Sequence, residues 1–275
     1  MAGVETDWGE WLRRWEAQQG HHMPRREERF QVIIAGLRAR SGDRPRVLDL
    51  GCGPGSLAVR ILAALPGAEV VAIDRDPVLL RLGREALGGR PGLSFADADL
   101  GDPRLRELGT GFDAAVSTTA LHWLDLTALR ELYRNLAAML RPGAILLNGD
   151  RQHASAGSEL EELCTEVRRA ADAELDRGGG HASSGSTPGP EGGAAPPTPA
   201  AGVAAETWET WWGAVEEEPA FAVAVEERRL RHHDHPHRSD PPTLRDHEEA
   251  LRAAGFREVG SLWQHWDDRV LAAIR

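Results

Sequence analysis

The chain contains no lysine; all 32 of its basic residues apart from histidine are arginine, a bias we read as coding preference rather than function. Against them stand 43 acidic residues, giving a net charge of -11. That balance removes bulk attraction to nucleic acid or anionic lipid, so neither partner is expected. Cysteine is equally scarce. Cys52 sits in a glycine-rich loop and Cys164 in a helical stretch, so no disulfide framework is expected. That fits a reducing cytoplasm, the expected location. No run of about 18 apolar residues exists, which excludes a helical membrane span. The first residues, Met-Ala-Gly-Val-Glu-Thr-Asp, lack the apolar centre of a secretory signal.

What is present is enough apolar sequence, 41% of residues, for one sizeable core. In residues 7–37, Trp8, Trp11, Leu12 and Trp15 recur at helical spacing, and a second helix is expected over 29–37. Short apolar runs at 46–50, 69–73, 93–96, 112–117 and 144–148 then alternate with helical stretches at 56–65, 77–87 and 126–140. Such alternation predicts a parallel sheet with helices on both faces. After Asp150 the rhythm pauses. Residues 158–177 read as a helix, and 178–205 are so rich in Gly, Ala, Pro, Ser and Thr that disorder is expected. Helix resumes at 206–215, and 221–231 fits either helix or strand. Residues 243–254 form a helix closed by Gly255, followed by strands at 256–266 and 269–274 joined by a hairpin. The expected organisation is a helical cap (1–40), a core (41–150), an inserted lid (151–240) and the end of the core (241–275).

The richest chemistry lies at Asp49-Leu50-Gly51-Cys52-Gly53-Pro54-Gly55. Glycines let a chain turn sharply and approach a ligand without a Cβ clash. Asp74 follows Gly51 by 23 residues, at the end of the next strand, where a carboxylate can accept from both hydroxyls of a ribose. A tight turn with a surface Asp is the plain structural alternative. The dinucleotide fingerprint needs a third glycine where Ser56 stands, which counts against a nicotinamide-dependent oxidoreductase.

The loop resembles the first motif of the class I S-adenosylmethionine-dependent methyltransferases, of the small-molecule kind (types 11, 12 and 25). Further motifs follow in order: Val71-Ala72-Ile73-Asp74-Arg75-Asp76-Pro77, Ala98-Asp99-Leu100, Phe112-Asp113-Ala114-Ala115-Val116-Ser117 with Ala120-Leu121-His122-Trp123, Leu140-Arg141-Pro142-Gly143-Ala144, and Ala253-Ala254-Gly255-Phe256. The resemblance covers roughly residues 30–150 and 241–275. It implies a Rossmann-like seven-stranded α/β sheet, six strands parallel and the last antiparallel. It also implies S-adenosyl-L-methionine as cofactor and methyl transfer to O, N or C of a small acceptor. Carried over by position, Asp49 and Gly51 border the methionine part and Gly53 the sugar, with Cys52 a further cofactor contact. Asp74 holds the ribose, with Arg75 flanking. Asp99 and the Leu100 N–H meet the adenine, with Asp97 as rival, and Ser117 lies at the methionine end.

His122 follows the fourth strand, where an imidazole can serve as general base or simply as pocket wall. Trp123, beside it, is a candidate acceptor contact. Gln18, Gln19, His21, Arg25, Arg26 and Arg29 could close over the cofactor, with Arg26 or Arg29 on its carboxylate. Trp208, Trp211 and Trp212 read as core, although their place in the insertion makes Trp212 a candidate substrate contact. His232, His233, His235 and His237 lack a Cys or acidic partner, so no metal site is expected; His235 is a candidate substrate contact. Monomer and homodimer stay open, as does a cofactor-binding regulator without catalysis.

Overall fold

The computed structural model describes residues 6–23, 25–152, 158–177, 206–233 and 241–275. Seven strands make one sheet: β1 (Arg46–Leu50), β2 (Glu69–Asp74), β3 (Leu93–Asp97), β4 (Phe112–Thr118), β5 (Leu140–Arg151), β6 (Glu258–His265) and β7 (Asp268–Ile274). Their order is β3-β2-β1-β4-β5-β7-β6. Neighbours from β3 to β5 pair parallel, while β7 runs antiparallel to both β5 and β6. The chain therefore winds outward in one direction from β1 and then in the other from β4. The crevice at that reversal, beyond the strand ends, is where ligands bind in open α/β sheets.

Nine α-helices appear among the described residues: α1 (Trp8–His22), α2 (Arg26–Ser41), α3 (Ser56–Ala64), α4 (Pro77–Leu87), α5 (Leu126–Met139), α6 (Glu159–Arg177), α7 (Trp208–Glu217), α8 (Ala222–His233) and α9 (Leu244–Ala253). Local chemistry sets their ends. Asp76 caps α4 ahead of Pro77, Asp125 caps α5, and Thr243 with Asp246 forms a reciprocal capping box on α9. Gly255, at φ +92°, follows the last turn of α9 as expected.

Successive strand residues face opposite sides of the sheet. One side packs Leu48, Leu50 and Leu146 under α5 and α9, and the other packs Val47, Val116 and Leu147 under α2 and α3. A third cluster joins α1, α4, α7 and α8 through Trp11, Trp15, Val78, Leu82, Trp211, Val215 and Val225, with Phe221 from the turn before α8. Trp211 is fully buried there, its ring 5.0 Å from that of Trp15. The tryptophan-rich start of the chain and the insertion thus form one cap.

Three segments differ from the sequence reading. The ambiguous stretch at 221–231 is helix, because Val225 and Phe221 face the tryptophan cluster at helical spacing. The fifth strand is more than twice its expected length. An irregularity in the β4–β5 register between Phe112 and Ala114 lets it start at Leu140, and the pairing with β7 carries it to Arg151. The hairpin turns at Trp266 and Asp267, with Trp266 at φ +57°. The expected disorder of 178–205 falls outside the described residues. Cys52 and Cys164 are both free thiols. No described helix is long and apolar enough to cross a membrane.

One carboxylate ties α1 of the cap to both α2 and α3. Glu16 of α1 accepts from Arg26 Nη1 (2.7 Å), Arg60 Nη2 (2.8 Å) and the Ser56 hydroxyl. Burial alone would raise its pKa, but the two guanidiniums and the hydroxyl overcome this and hold it at about 2, against a usual 4.5. A carboxylate pKa depressed by folding adds stability above the ordinary value, lost as pH falls toward the folded one. The difference corresponds to roughly 3 kcal/mol. Thermal melts between pH 5 and pH 2 should therefore show a steep loss of stability. Glu16→Gln should flatten that slope and lower the melting temperature at pH 7.

Candidate active site

The loop after β1 is built from left-handed glycines: Gly51 at φ +66°, Gly53 at +56° and Gly55 at +95°. At Gly51 a Cβ would also come within 2.2 Å of the Ala120 Cβ, so no side chain fits. The Cys52 N–H donates to the Ile73 carbonyl (2.9 Å), closing the loop onto β2. The Cys52 thiol is buried against the Gly53 carbonyl.

Asp74, at the end of β2, organises this loop. One carboxylate oxygen accepts from the Gly53 N–H (2.7 Å) and the other from Arg75 N–H (2.7 Å) and Asp76 N–H (2.9 Å). An ionised carboxylate has about four acceptor positions, so one remains for a ligand hydroxyl. Burial, and then the Asp76 charge, push its pKa up to about 6 despite those amides. Asp49 is more exposed to cost: it is fully buried and neither oxygen has a hydrogen-bond partner. Burial, then the Asp74 charge, raise its pKa to about 7 against the small opposing effect of the Ala58 backbone N–H. A buried carboxylate with so little compensation, beside a glycine cradle, fits a cationic ligand group.

The remaining cofactor candidates surround this centre. Ser117, fully buried, donates to the Leu50 carbonyl (2.8 Å) and so holds the start of the loop; its hydroxyl is spent on the fold. Leu100 is buried in the core, close to Gly51. Asp99 accepts from Gly101 N–H (2.8 Å) and Arg75 Nη1 (2.7 Å), while Asp97 makes a forked pair with Arg231 of α8. Both carboxylates are thus engaged. Arg228, also on α8, donates to Asp76 (2.7 Å) and lies 3.8 Å over the Trp212 ring. Trp212 therefore packs with Trp208 and Trp211 in the cap rather than with His122.

Gln18 and Trp15 reach in from α1 with the Gln18 Nε2 and Trp15 Nε1 buried and unpartnered. Arg26, offered for a carboxylate, is taken by Glu16. Arg29 lies flat across β5, where a Cβ at Gly149 would meet its Cδ at 2.7 Å, and pairs with Asp268 (2.7 Å). Only its Nε has no partner.

His122 stands on a short 3-10 turn, Leu121–Trp123, behind Thr119, a non-glycine residue at φ +51°. Strain of this kind gathers at functional sites. The carboxylate of Asp150, fully buried at the end of β5, meets His122 Nδ1 (2.8 Å) and accepts its backbone N–H (3.1 Å). Burial would lower the His122 pKa, but the Asp150 charge and hydrogen bond overcome it and raise the value above 6.5. Trp123 is half exposed, its ring 5.4 Å from the imidazole.

Sequence reasoning did not single out Asp150 or Glu16, because neither lies in a motif and their partners are distant in the chain. His235 and His237 lie outside the described residues, as do the side chains of His232 and His233. No cluster of three or more metal-ligating side chains occurs among the described residues.

Residues 48–146 match a methyltransferase domain family. Trans-aconitate 2-methyltransferase of Streptomyces coelicolor is 30% identical over 130 residues, 47% of this chain and 42% of that protein. Malonyl-[acyl-carrier protein] O-methyltransferase of Halalkalibacterium halodurans is 28% identical over 46% of this chain and 47% of its own length. The chain thus spans less than half the length of these curated relatives. Among solved structures, the S-adenosylmethionine-dependent methyltransferase SibL in its apo form superposes with a TM-score of 0.53 (19% identity, 93% of this chain, 57% of that one). An O-methyltransferase family protein from Burkholderia thailandensis gives the same score (18%, 96% and 58%).

The unpartnered Asp49 has a consequence for the free protein. A carboxylate whose pKa is raised by folding stabilises below its ordinary value and loses that contribution as pH rises toward the folded one. Melts of the protein without ligand should lose stability from about pH 4 to pH 7. Asp49→Asn should be more stable than the parent at pH 8; a less stable variant would contradict the account of Asp49 as an uncompensated charge.

Proposed function

We propose that the whole chain transfers a methyl group from S-adenosyl-L-methionine to a small-molecule acceptor, a reading supported by the methyltransferase-domain match over residues 48–146. The observation that carries this reading is the buried, unpartnered Asp49 carboxylate beside a loop whose glycines leave backbone where side chains would stand. In this reading Asp49 and Gly51 border the cationic methionine end, with Cys52 behind them. Gly53 and Asp74 meet the ribose, with Arg75 flanking. Asp99 and the Leu100 N–H receive the adenine, for which Arg75 must release Asp99. Arg29 Nε and Gln18 Nε2 are unpartnered donors for a carboxylate.

The bound cofactor supplies an activated methyl on a positive sulfur; the acceptor atom provides the electron pair of the new bond, and the old S–CH3 pair stays on sulfur. The chain's own task is then to position and to exclude water. Asp150 fixes the His122 ring through Nδ1, which leaves Nε2 for the acceptor. His122 there handles the acceptor's proton or its charge, and Trp123 extends the same wall. The cap of α1, α7 and α8 packs on α4, with Trp15 beside Gly53 of the loop.

Calorimetry with S-adenosylmethionine and with NAD tests the cofactor. We expect binding of the former only; tight binding of NAD alone would reverse the reading. Asp74→Asn should weaken S-adenosylmethionine by at least about tenfold while circular dichroism stays unchanged, since a single lost charge-assisted hydrogen bond is worth about 1.5–3 kcal/mol.

A further inference from the structure

Where β5 meets β7, charge is left over. Asp150 is the pairing partner of Arg269, and Arg151 that of Asp268. The three carboxylates of this corner already have cations: Asp150 has His122, Asp267 has Arg168 and Asp268 has Arg29. Arg269 is different. Among the described residues its guanidinium donates to the backbone carbonyls of Gln152 and Asp267, and its Nε is buried with no partner. Burial lowers its pKa and outweighs the nearby Asp267 charge, which acts to raise it, although among the described residues no carboxylate is within ion-pair distance of the guanidinium. Beside it, Gln152 is completely buried and both side-chain polar atoms lack partners. Buried polar groups are almost always satisfied, and unsatisfied ones in one place point to a missing ligand.

We propose that the methyl acceptor is a carboxylate, held beside His122 by Arg269 and Gln152. This rests on the cofactor assignment above and deepens it. An arginine with a free Nε–H and an adjacent amide N–H offer donors of the kind that a carboxylate accepts. Surplus positive charge at the site selects an anion over a neutral alcohol or a cationic amine. A carboxylate also changes the duty of His122. At neutral pH such an acceptor has no proton to lose: its oxygen lone pair forms the O–CH3 bond, the S–CH3 pair leaves on sulfur, and a methyl ester results with no base involved. His122 then acts as a donor through Nε2–H, its positive form sustained by Asp150. The charged groups acting on it are Asp150 and Arg151 from β5, Arg29 from α2 and His247 from α9.

The test uses the full chain saturated with S-adenosylhomocysteine and probed by calorimetry with benzoate, succinate and citrate, each against its amide. At least one carboxylate should bind and its amide should not. Affinity should fall as pH rises from 6 to 9, the reverse of what a base would give for turnover. Arg269→Gln should cost tenfold or more in carboxylate affinity with unchanged S-adenosylhomocysteine binding; Gln152→Leu is the second variant, should Arg269→Gln fail to fold. With radiolabelled S-adenosylmethionine, the product label should be released as volatile methanol by mild alkali, as esters require. No binding of any carboxylate, equal binding of the amides, or variants that bind carboxylate as the parent does would each overturn the proposal. Failure to bind S-adenosylhomocysteine would overturn the cofactor reading, and this one with it.

Discussion

The architecture of the site depends on the Glu16 carboxylate. It is the only acidic side chain that touches α1, α2 and the first turn of α3 together, through Arg26, Arg60 and Ser56 among the described residues. Burying three charges is costly unless they compensate one another. Here they do, and the result fixes α1 over the glycine loop. Trp15 and Gln18, on the same helix, are thereby held facing that loop, with a Gly53 Cβ position 3.8 Å from the Trp15 ring. Ser56 also acquires a reason: where a dinucleotide site would keep glycine, this chain needs a hydroxyl for Glu16.

A second balance runs along the ends of β1, β2 and β3. Asp49, Asp74, Asp76, Asp97 and Asp99 crowd one rim. Arginines answer from the sequence and from the insertion: Arg75 to Asp99, Arg228 to Asp76, Arg231 to Asp97. Guanidinium suits this work, because its planar fork grips both oxygens of a carboxylate, as Arg231 does. Asp74 is met by backbone N–H groups instead of a cation, and Asp49 has neither a cation nor a close donor. At the opposite corner, by β7, the buried Arg269 makes no ion pair among the described residues, with Asp267 the carboxylate whose charge acts on it. The two corners so divide the site into a half that favours a cation and a half that favours an anion.

Much of this was legible in one dimension. The period of the apolar residues gave the strands and helices, since a sheet buried on both faces demands continuous apolar runs. Gly51, Gly53 and Gly55 announced a loop with positive φ; Asp74 ends β2 and His122 lies on the turn after β4, the positions in the chain at which the sequence put them. Other residues could not be read. Arg29 and Arg26 looked alike as candidates for a ligand carboxylate, and only their neighbours separate them: Glu16 claims one, Asp268 part of the other. Trp212 looked available to a substrate and packs in the cap.

The sequence by itself determined the sheet, its crevice and the loop that lines it, because these follow from local periodicity and from backbone angles that glycine alone adopts freely. Tertiary structure decided which charges are spent and which are left over. Pairing depends on distance in space between residues far apart in the chain, as with His122 and Asp150, 28 positions apart, or Arg29 and Asp268, 239 apart. No pattern along the chain encodes that distance, and the chemistry of this site is set by it.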